Sequence, residues 1–379
     1  MRGDAVQSYL SRIGADATVD RRYGWHSLFI GYSSAPPPES YRDVFTRFPE
    51  MCQLDRHPFL GFRLVLVMAS PALAQVLESA SKFSCRRLFH DLSDQLRCPP
   101  SPVFKLRDAV WTDTDPKIMG ILNITPDSFY DGGRHYEKSD YVSLAGDMIA
   151  AGADIIDIGG ESTRPGSQPV CEQEELRRVL PALRQIRGRY TIPISVDTVK
   201  PVVAEEALQA GADLVNDVSG LQAGKAMLDV VNRYRGSYCL MHTQGKPETM
   251  QKDPRYCDTV AEVYAFFRQK LEFCEAHGLE RDRILLDPGI GFGKAVDHNL
   301  DLLRFLSVFS GLRCLVLQGS SQKSFIGALL NRNTEQRLSG TLATQTLGWG
   351  AGATVFRVHH IAENRDAVRM AAIYGRGNR

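Results

Sequence analysis

The chain has 379 residues, of which 43% are hydrophobic and 23% charged, so it can bury a sizeable core and is not a disordered protein. Its length exceeds that of one ordinary domain, which favours one large domain and a smaller region. The formal net charge of +1 excludes a strongly basic surface for nucleic acid or for an anionic membrane. Any anion that the protein binds is therefore met by local groups in a pocket.

The sequence shows no sign of export or of membrane anchoring. Its first residues, MRGDAVQSYLS, lack the apolar stretch of a signal peptide, and the longest apolar run, residues 64–77, is short and broken by Pro71. The 8 cysteines are scattered, without a C-x-x-C pair or a zinc-binding spacing. We therefore expect reduced thiols in a cytoplasmic protein.

Residues 1–110 are predicted to be an N-terminal extension or a small α+β domain of unknown role. Pro36-Pro37-Pro38 marks a loop, and the Pro-rich segment 98–102 is typical of a connector. Between them, the pattern indicates a strand at Phe62–Met68 and a helix at Ala72–Phe83.

Residues 116–375 are predicted to form a TIM (β/α)8 barrel. Short apolar runs recur there, each followed by a polar or Gly-rich turn and an amphipathic helix, the pattern of repeated βα units. Eight such strands close on themselves in this fold. The predicted strands are Ile118–Asn123, Ile155–Gly159, Ile192–Asp197, Leu214–Asp217, Tyr238–His242, Ile284–Asp287, Cys314–Gln318 and Thr354–Val358.

A polar residue stands at or just after the end of every predicted strand. These residues are Asn123, Glu161, Asp197, Asn216, His242, Asp287, Lys323 and His359. Any one of them is explained equally well as a cap of the following helix. Because reactive groups of TIM barrels lie at the C-terminal ends of the strands, the whole set indicates an active site.

Two polar loops add anion-binding character to this end of the barrel. The segment after the first strand carries Thr125, Asp127 and Ser128 and then Gly132-Gly133. The loop after the second strand contains Thr163 and Arg164, and a guanidinium there pairs well with phosphate or carboxylate.

In chain order these segments resemble the successive signatures of the dihydropteroate synthases. The resemblance covers roughly residues 116–375. The matching segments are ILNITPDSFYDGG, ESTRPG, PISVDT, VNDVSG, MHTQGKPETMQ, LDPGIGFGK, GSSQKSFIG and RVH. The resemblance implies a transferase of folate biosynthesis, a target of sulfonamides, that joins 6-hydroxymethyl-7,8-dihydropterin diphosphate to p-aminobenzoate and releases diphosphate.

The same resemblance implies a role for each matching residue, with Lys323, Arg357 and Asp197 as the catalytic set. The implied pterin-binding residues are Asp197, Asn216, Asp287 and Lys323. The implied diphosphate-binding residues are Asn123, Thr163, Arg164, Arg357 and His359, with Mg2+ bridging the diphosphate and Asn123. The implied p-aminobenzoate-binding residues are Phe129, Pro165, Phe292 and Ser324. Lys323 and Arg357 are expected to serve an anion that the free protein lacks.

The chain departs from the family pattern at two positions. The family usually has Ser-Arg-Lys where this chain has Ser321-Gln322-Lys323, and Arg-Val-His-Asp where it has residues 357–360 with His360 last. Loss of the guanidinium beside Lys323 is expected to weaken aminobenzoate or diphosphate binding. His242 either fixes the next loop or contacts substrate.

Two other functions remain compatible with the residues. The methyltetrahydrofolate–corrinoid methyltransferases share the Asp/Asn/Asp pterin floor but have no diphosphate to expel. A non-catalytic, pterin-binding paralogue that acts through residues 1–110 is the other alternative. In each case the expected ligands are small molecules, with no nucleic acid or membrane partner, and the resemblance implies a homodimer.

Overall fold

The structure, a computed structural model, describes most of the chain from residue 102 onward and four strands before it. The described residues are 16–18, 25–33, 52–57, 61–69, 102–107, 109–124, 130–131, 134–135, 140–162, 167–245 and 250–376. The predicted helix Ala72–Phe83, Pro36-Pro37-Pro38 and most of segment 98–102 lie outside these residues.

Strands are numbered here in chain order. They are β1 (Asp16–Thr18), β2 (Trp25–Ser33), β3 (Cys52–His57), β4 (Gly61–Ala69), β5 (Val103–Leu106), β6 (Ala109–Thr112), β7 (Lys117–Asn123), β8 (Tyr130–Asp131), β9 (Arg134–His135), β10 (Ile155–Gly159), β11 (Ile194–Asp197), β12 (Leu214–Asp217), β13 (Ser237–Met241), β14 (Ile284–Asp287), β15 (Leu315–Gln318) and β16 (Ala353–Val358).

Strand β7 and strands β10 to β16 form a closed barrel in which each strand runs parallel to its neighbours. Strand β16 pairs with β7 and completes the circle. Strands such as Ile155–Gly159 are buried at every position, as expected when helices cover a parallel sheet. The predicted TIM barrel is confirmed, and its strands begin or end within two residues of the predicted bounds.

Helices surround the barrel. They are α1 (Tyr141–Ala151), α2 (Glu172–Arg189), α3 (Pro201–Gln209), α4 (Lys225–Arg233), α5 (Thr259–Ala276), α6 (Val296–Arg304), α7 (Ser307–Ser310), α8 (Ser324–Leu330), α9 (Leu338–Gly350) and α10 (Ile361–Arg376), with short 3-10 turns at Arg281–Arg283 and Thr334–Gln336.

Helix α2 shows how these segments are specified. Its buried Val179, Ala182, Leu183 and Ile186 recur at helical spacing and face the core, while its first turn is acidic and its last turn basic. No helix of the described residues combines the length and apolarity that are needed to cross a bilayer.

A β-hairpin of β5 and β6 closes the N-terminal end of the barrel. Phe104, Leu106 and Trp111 of the hairpin are buried in one cluster with inward-facing residues of the barrel strands, including Ile155 and Leu214. Apolar side chains therefore fill this end, which leaves the polar residues to the opposite end. The division into residues 1–110 and 116–375 remains a prediction, although this hairpin packs with the barrel.

The N-terminal strands form their own antiparallel sheet, in the order β1-β2-β4-β3. Strand β4 contains the predicted strand Phe62–Met68. Between β7 and α1, strand β8 (Tyr130–Asp131) pairs antiparallel with β9 (Arg134–His135).

Candidate active site

The predicted site residues that the structure describes lie at the C-terminal end of the barrel. Asn123, Asp197 and Asp287 are the last residues of their strands, and Asn216 and Arg357 precede the last residue of theirs. The remaining ones follow strands β14 to β16, and these are Phe292, Lys323, Ser324 and His359. Four others, Phe129, Thr163, Arg164 and Pro165, lie outside the described residues.

An arginine held between two carboxylates forms the floor of the site. The Nε of Arg357 donates to Asp157 Oδ2 at 2.6 Å, and its Nη2 donates to Asp197 Oδ2 at 2.8 Å. Asp157 is fully buried. Burial opposes the charge on Arg357, but Asp157 and Asp197 raise the pKa of its guanidinium above the ordinary value.

This geometry corrects one expectation for Arg357. Its charge is already used by two protein carboxylates in the free protein, so the side chain is not reserved for an absent anion. Its Nη1 makes no hydrogen bond within the described part of the chain, which leaves these N–H groups available to a ligand. Burial raises the pKa of Asp197 to about 7, and Arg357 opposes the shift.

Asn216 lies beside this floor and presents an acceptor. Its Nδ2 donates to Asp157 Oδ2 at 3.1 Å, while its Oδ1 is buried without a hydrogen-bond partner among the described residues. An unpaired buried acceptor costs about 1–3 kcal/mol, which a ligand N–H recovers on binding. Asn216 therefore offers an acceptor to a ligand, while one N–H of its Nδ2 is committed to Asp157.

Asp287 and Lys323 form the opposite wall. Asp287 Oδ1 accepts from the Gly289 N–H at 2.8 Å, and its Oδ2 lies toward Gly319. Burial raises the pKa of Asp287, while the Gly289 N–H and Lys323 oppose the shift. The Lys323 Nζ lies 4.1 Å from the centre of the Phe292 ring, a cation–π contact. Burial, reinforced by Arg357, lowers the pKa of Lys323 to about 8.

His242 contacts a buried lysine. Its Nδ1 lies 3.0 Å from the Nζ of Lys294, which also donates to the Phe292 carbonyl at 2.9 Å. Burial and the Lys294 charge lower the pKa of His242 to about 3, and burial lowers that of Lys294 to about 7. Lys294 thus ties the end of β13 to the loop that carries Phe292, which supports the loop-fixing role of His242.

Ser321 and His359 join the ends of the last two barrel strands. The Ser321 hydroxyl lies 3.0 Å from His359 Nδ1 and also accepts from the His359 N–H at 3.3 Å. His359 is therefore oriented through its Nδ1, with its other ring nitrogen directed away from this contact.

An ion-pair cluster supports the start of the loop after β10. Lys200 donates to Glu161 and to Glu175, and Glu175 is almost fully buried. Glu161, the polar residue just after the end of β10, therefore has a structural role in this cluster.

A pocket lies beside the cluster and is lined by Asp197, Thr198, Ser219, Met250 and Phe292, among others. It therefore connects the carboxylate floor to the Phe292 ring.

Asn123 can hold a magnesium ion only if a bound ligand supplies most of the other oxygen atoms around the metal. Its Oδ1 lies close to Gly159 of the adjacent strand β10, and the Asp197 side chain approaches the same glycine from β11. No group of three or more His, Cys, Asp or Glu side chains in the described segments is arranged to hold a metal. An amide oxygen of this kind fits a Mg2+ ion that is bound mainly by phosphate oxygens.

Three functional positions were missed by reasoning from the sequence. They are Asp157, Lys294 and Ser321. Asp157 carried a usable signal, since a charge inside the apolar run Ile155–Gly159 is costly to bury unless it is paired. Lys294 and Ser321 follow turns and are not distinguishable by pattern from surface residues.

Comparison with known proteins agrees with this geometry. The family model described as "Pterin binding enzyme" matches residues 119–359. The dihydropteroate synthase of Escherichia coli (strain K12) is 46% identical over 255 residues, which cover 67% of this chain and 90% of the relative.

Solved structures give the same result. The Yersinia pestis dihydropteroate synthase in complex with a sulfonamide drug superposes with a TM-score of 0.68 and 41% identity, covering 72% of this chain and 98% of that one. The Xanthomonas albilineans enzyme with 4-aminobenzoic acid has a TM-score of 0.66 and 40% identity, covering 73% and 98%. The chain therefore belongs to the dihydropteroate synthase family and is a transferase of folate biosynthesis.

Proposed function

We propose that the barrel joins the dihydropterin diphosphate to p-aminobenzoate with the pterin ring seated on Asp197, Asn216 and Asp287. The observation that carries this assignment is the set of buried acceptors at one end of the barrel: two carboxylates, and an amide oxygen that lacks a partner among the described residues. The aminopyrimidinone edge of a pterin presents several N–H donors. Lys323 supplies a cation to the carbonyl and imine side of the ring.

The diphosphate is proposed to lie next to this floor, against Asn123, Thr163, Arg164, Arg357 and His359. Support comes from the Nη1 of Arg357, which makes no hydrogen bond to the residues that the structure describes, and from the orientation that Ser321 gives to His359. We propose that Mg2+ enters with the substrate and is held by Asn123, where it would neutralise charge on the diphosphate oxygens.

The reaction breaks the bond between the pterin methylene carbon and the diphosphate oxygen. The electron pair leaves with the diphosphate, and the resulting cation is delocalised into the pterin ring. The aminobenzoate nitrogen then forms the new C–N bond and loses a proton. The protein supplies position and electrostatic stabilisation: Arg357 and His359 face the departing charge, while Asp197 and Asn216 hold the ring.

The p-aminobenzoate is proposed to lie between Phe129, Pro165 and Phe292, with its carboxylate near Ser324. The pocket lined by Asp197 and Phe292 supports this position, because it joins a residue of the pterin floor to the Phe292 ring. Sulfonamides are proposed to compete for the same place, as the drug complex of the Yersinia pestis relative suggests.

A turnover assay tests the assignment directly. The protein is mixed with the dihydropterin diphosphate, p-aminobenzoate and Mg2+, and dihydropteroate and diphosphate are measured together. Equal amounts of the two products are expected. Pterin binding without diphosphate release would instead identify the non-catalytic paralogue, and methyl transfer from methyltetrahydrofolate would identify the methyltransferase.

The pH dependence of activity is expected to follow Lys323. Its pKa of about 8 means that the free enzyme loses this cation as the pH rises through that value, so kcat/KM should fall above pH 8. Bound diphosphate raises the pKa of the lysine, which should move the corresponding limb in kcat to higher pH. Lys323→Arg should abolish the limb, because a guanidinium does not titrate there.

Lys294 provides the matched control for this pH profile, since its pKa is lowered to about 7. Lys294→Met should leave the alkaline limb of kcat/KM in place. If Lys294→Met abolishes the limb and Lys323→Arg preserves it, the titrating group is not Lys323.

We also propose a homodimer that forms through the last two helices. Helices α9 and α10 pack against each other and expose Leu347, Met370, Ile373 and Tyr374. A cluster of exposed apolar side chains is typical of an interface. Leu347→Asp should shift the protein from dimer to monomer in sedimentation equilibrium, whereas Arg369→Asp, a charge change on the same helix pair, should do so less.

The cytoplasm is the proposed location. The cysteines whose side chains the structure describes are all free, as expected for a reducing compartment.

A further inference from the structure

The two positions at which the chain departs from its family touch each other. Gln322 Nε2 lies 3.4 Å from His360 Nδ1, although the residues are 38 positions apart. Gln322 stands between Ser321 and Lys323, and His360 follows His359. Both departures therefore fall on one contact, next to residues to which the proposed site assigns a role.

The contact between Gln322 and His360 lies next to a second contact between the same two segments. Ser321 and Gln322, consecutive in the loop after β15, meet His359 and His360, consecutive after β16. Together the two contacts hold the loop that presents Lys323 against the end of the neighbouring strand. Displacing this loop would move the Lys323 ammonium relative to Asp287 and Phe292.

The main chain of both residues is anchored independently of their side chains. The Gln322 N–H donates to Thr341 Oγ1 at 3.1 Å, and Arg337 donates to the Gln322 carbonyl at 3.0 Å. The His360 carbonyl accepts from the Asn364 side chain at 2.6 Å. Gln322 keeps a positive φ of 59°, and alanine accepts this backbone as well as glutamine does. Truncation of either side chain therefore removes the contact alone.

Charge explains why the two replacements belong together. An Arg and an Asp at these positions would meet as an ion pair without net charge, whereas Gln322 and His360 meet through a hydrogen bond between side chains. The change of one residue alone would leave an unbalanced charge beside His359 and Lys323. Hydrogen bonding agrees, because Gln322 Oε1 has no partner among the described residues and the side chain's hydrogen bond there goes to His360.

We propose that Gln322 and His360 are a matched pair of positioning residues that holds the Lys323 loop in place. The inference rests on the proposed role of Lys323. The expectation that loss of the guanidinium beside Lys323 weakens substrate binding stays a prediction, and the Gln322→Arg variants described below test it.

A double-mutant cycle tests the pair. KM and kcat for both substrates and the thermal midpoint are measured for the wild type, Gln322→Ala, His360→Ala and the double variant. Each single change is expected to raise KM or lower kcat about threefold to tenfold, and the double variant should be no worse than the poorer single one. The thermal midpoint should change little, because the contact lies at the surface.

Three further variants sharpen the result. Gln336→Ala, an exposed glutamine whose side chain makes no hydrogen bond within the described chain, is the matched control and should have no effect. Gln322→Arg should impair the enzyme, and Gln322→Arg/His360→Asp should recover to within about twofold of wild type. Losses that multiply in the alanine double variant, or no recovery in the Arg/Asp variant, would overturn the proposal.

Lys323→Ala, measured in the same series, separates this inference from the site assignment. If Lys323→Ala turns over normally, the proposed role of Lys323 fails, whatever the cycle shows. If Lys323→Ala is inactive while the two alanine effects are independent, the matched pair alone fails.

Discussion

Asp287→Asn is expected to weaken pterin binding by about a hundredfold while the protein stays folded. The amide can keep its oxygen toward the Gly289 N–H, which places its NH2 at the position of Oδ2 and faces the pterin with a donor. Loss of a hydrogen bond between a charged acceptor and a ligand N–H costs about 1.5–3 kcal/mol of binding free energy. A change of about 1.4 kcal/mol corresponds to a tenfold change in affinity. Calorimetric titration with a pterin measures the change, and Asp197→Asn should behave alike.

Asp217→Asn is the matched control for these variants. Asp217 follows Asn216 directly, but its carboxylate accepts from the Tyr238 hydroxyl at 2.5 Å and from the Ser219 N–H at 2.7 Å, and so serves the protein rather than the pocket. The control should lower the thermal midpoint and leave pterin affinity unchanged. Unaltered affinity in both Asp197→Asn and Asp287→Asn would remove those residues from the pterin site.

Arg357→Ala is expected to lower both turnover and stability, whereas Lys323→Ala should lower turnover alone. Without Arg357, the buried Asp157 and Asp197 lose their counter-charge, and breaking such a pair costs about 3–5 kcal/mol. Lys323 makes no hydrogen bond or ion pair with its side chain in the described residues, and burial already disfavours its charge, so its removal should cost little stability although it takes a nearby cation away from Asp287. We expect kcat/KM to fall by about a hundredfold or more in each variant.

The stability loss of Arg357→Ala should depend on pH with a defined sign. Burial raises the pKa of Asp197 already in the wild type, and removal of Arg357 takes away the charge that opposes this shift. A carboxyl whose folded pKa is raised favours folding at low pH and loses this contribution as the pH rises through the folded pKa. The difference in thermal midpoint from wild type should therefore be smaller near pH 5 than near pH 8.

Two companion variants separate structure from catalysis at Arg357. Arg357→Lys keeps a charge but lacks the fork that reaches both carboxylates, so turnover should stay low while stability partly returns. Arg357→Ala/Asp157→Asn should regain stability without activity. An Arg357→Ala enzyme that unfolds more easily yet turns over normally would show that the residue is purely structural.

The strands and the polar residues at their ends could be predicted because their signal is local. A run such as Ile155–Gly159 is apolar at nearly every position, since helices cover one face of a parallel strand and the core covers the other. The TIM barrel then places each strand end on one rim, and so Asp197, Asn216 and Asp287 could be assigned to one site before their contacts were known.

The partners of these residues depended on the tertiary structure. Arg357 lies 200 residues from Asp157 and 160 from Asp197, and closure of β16 against β7 is what brings them within hydrogen-bond distance. A single sequence carries no record of which carboxylate a distant guanidinium meets. Arg357 was consequently expected to await an anion, although it is paired in the free protein.

The sequence by itself determined where the strands lie, which residue types end them and which reaction those residues suit, because hydrophobic periodicity and strand-end chemistry are properties of short segments. Only the tertiary structure decided that Phe104 and Trp111 close the far end of the barrel, that Lys294 fixes His242, and that Gln322 meets His360. These contacts join segments that are distant in the chain, and their geometry is set by how the closed sheet arranges its strand ends.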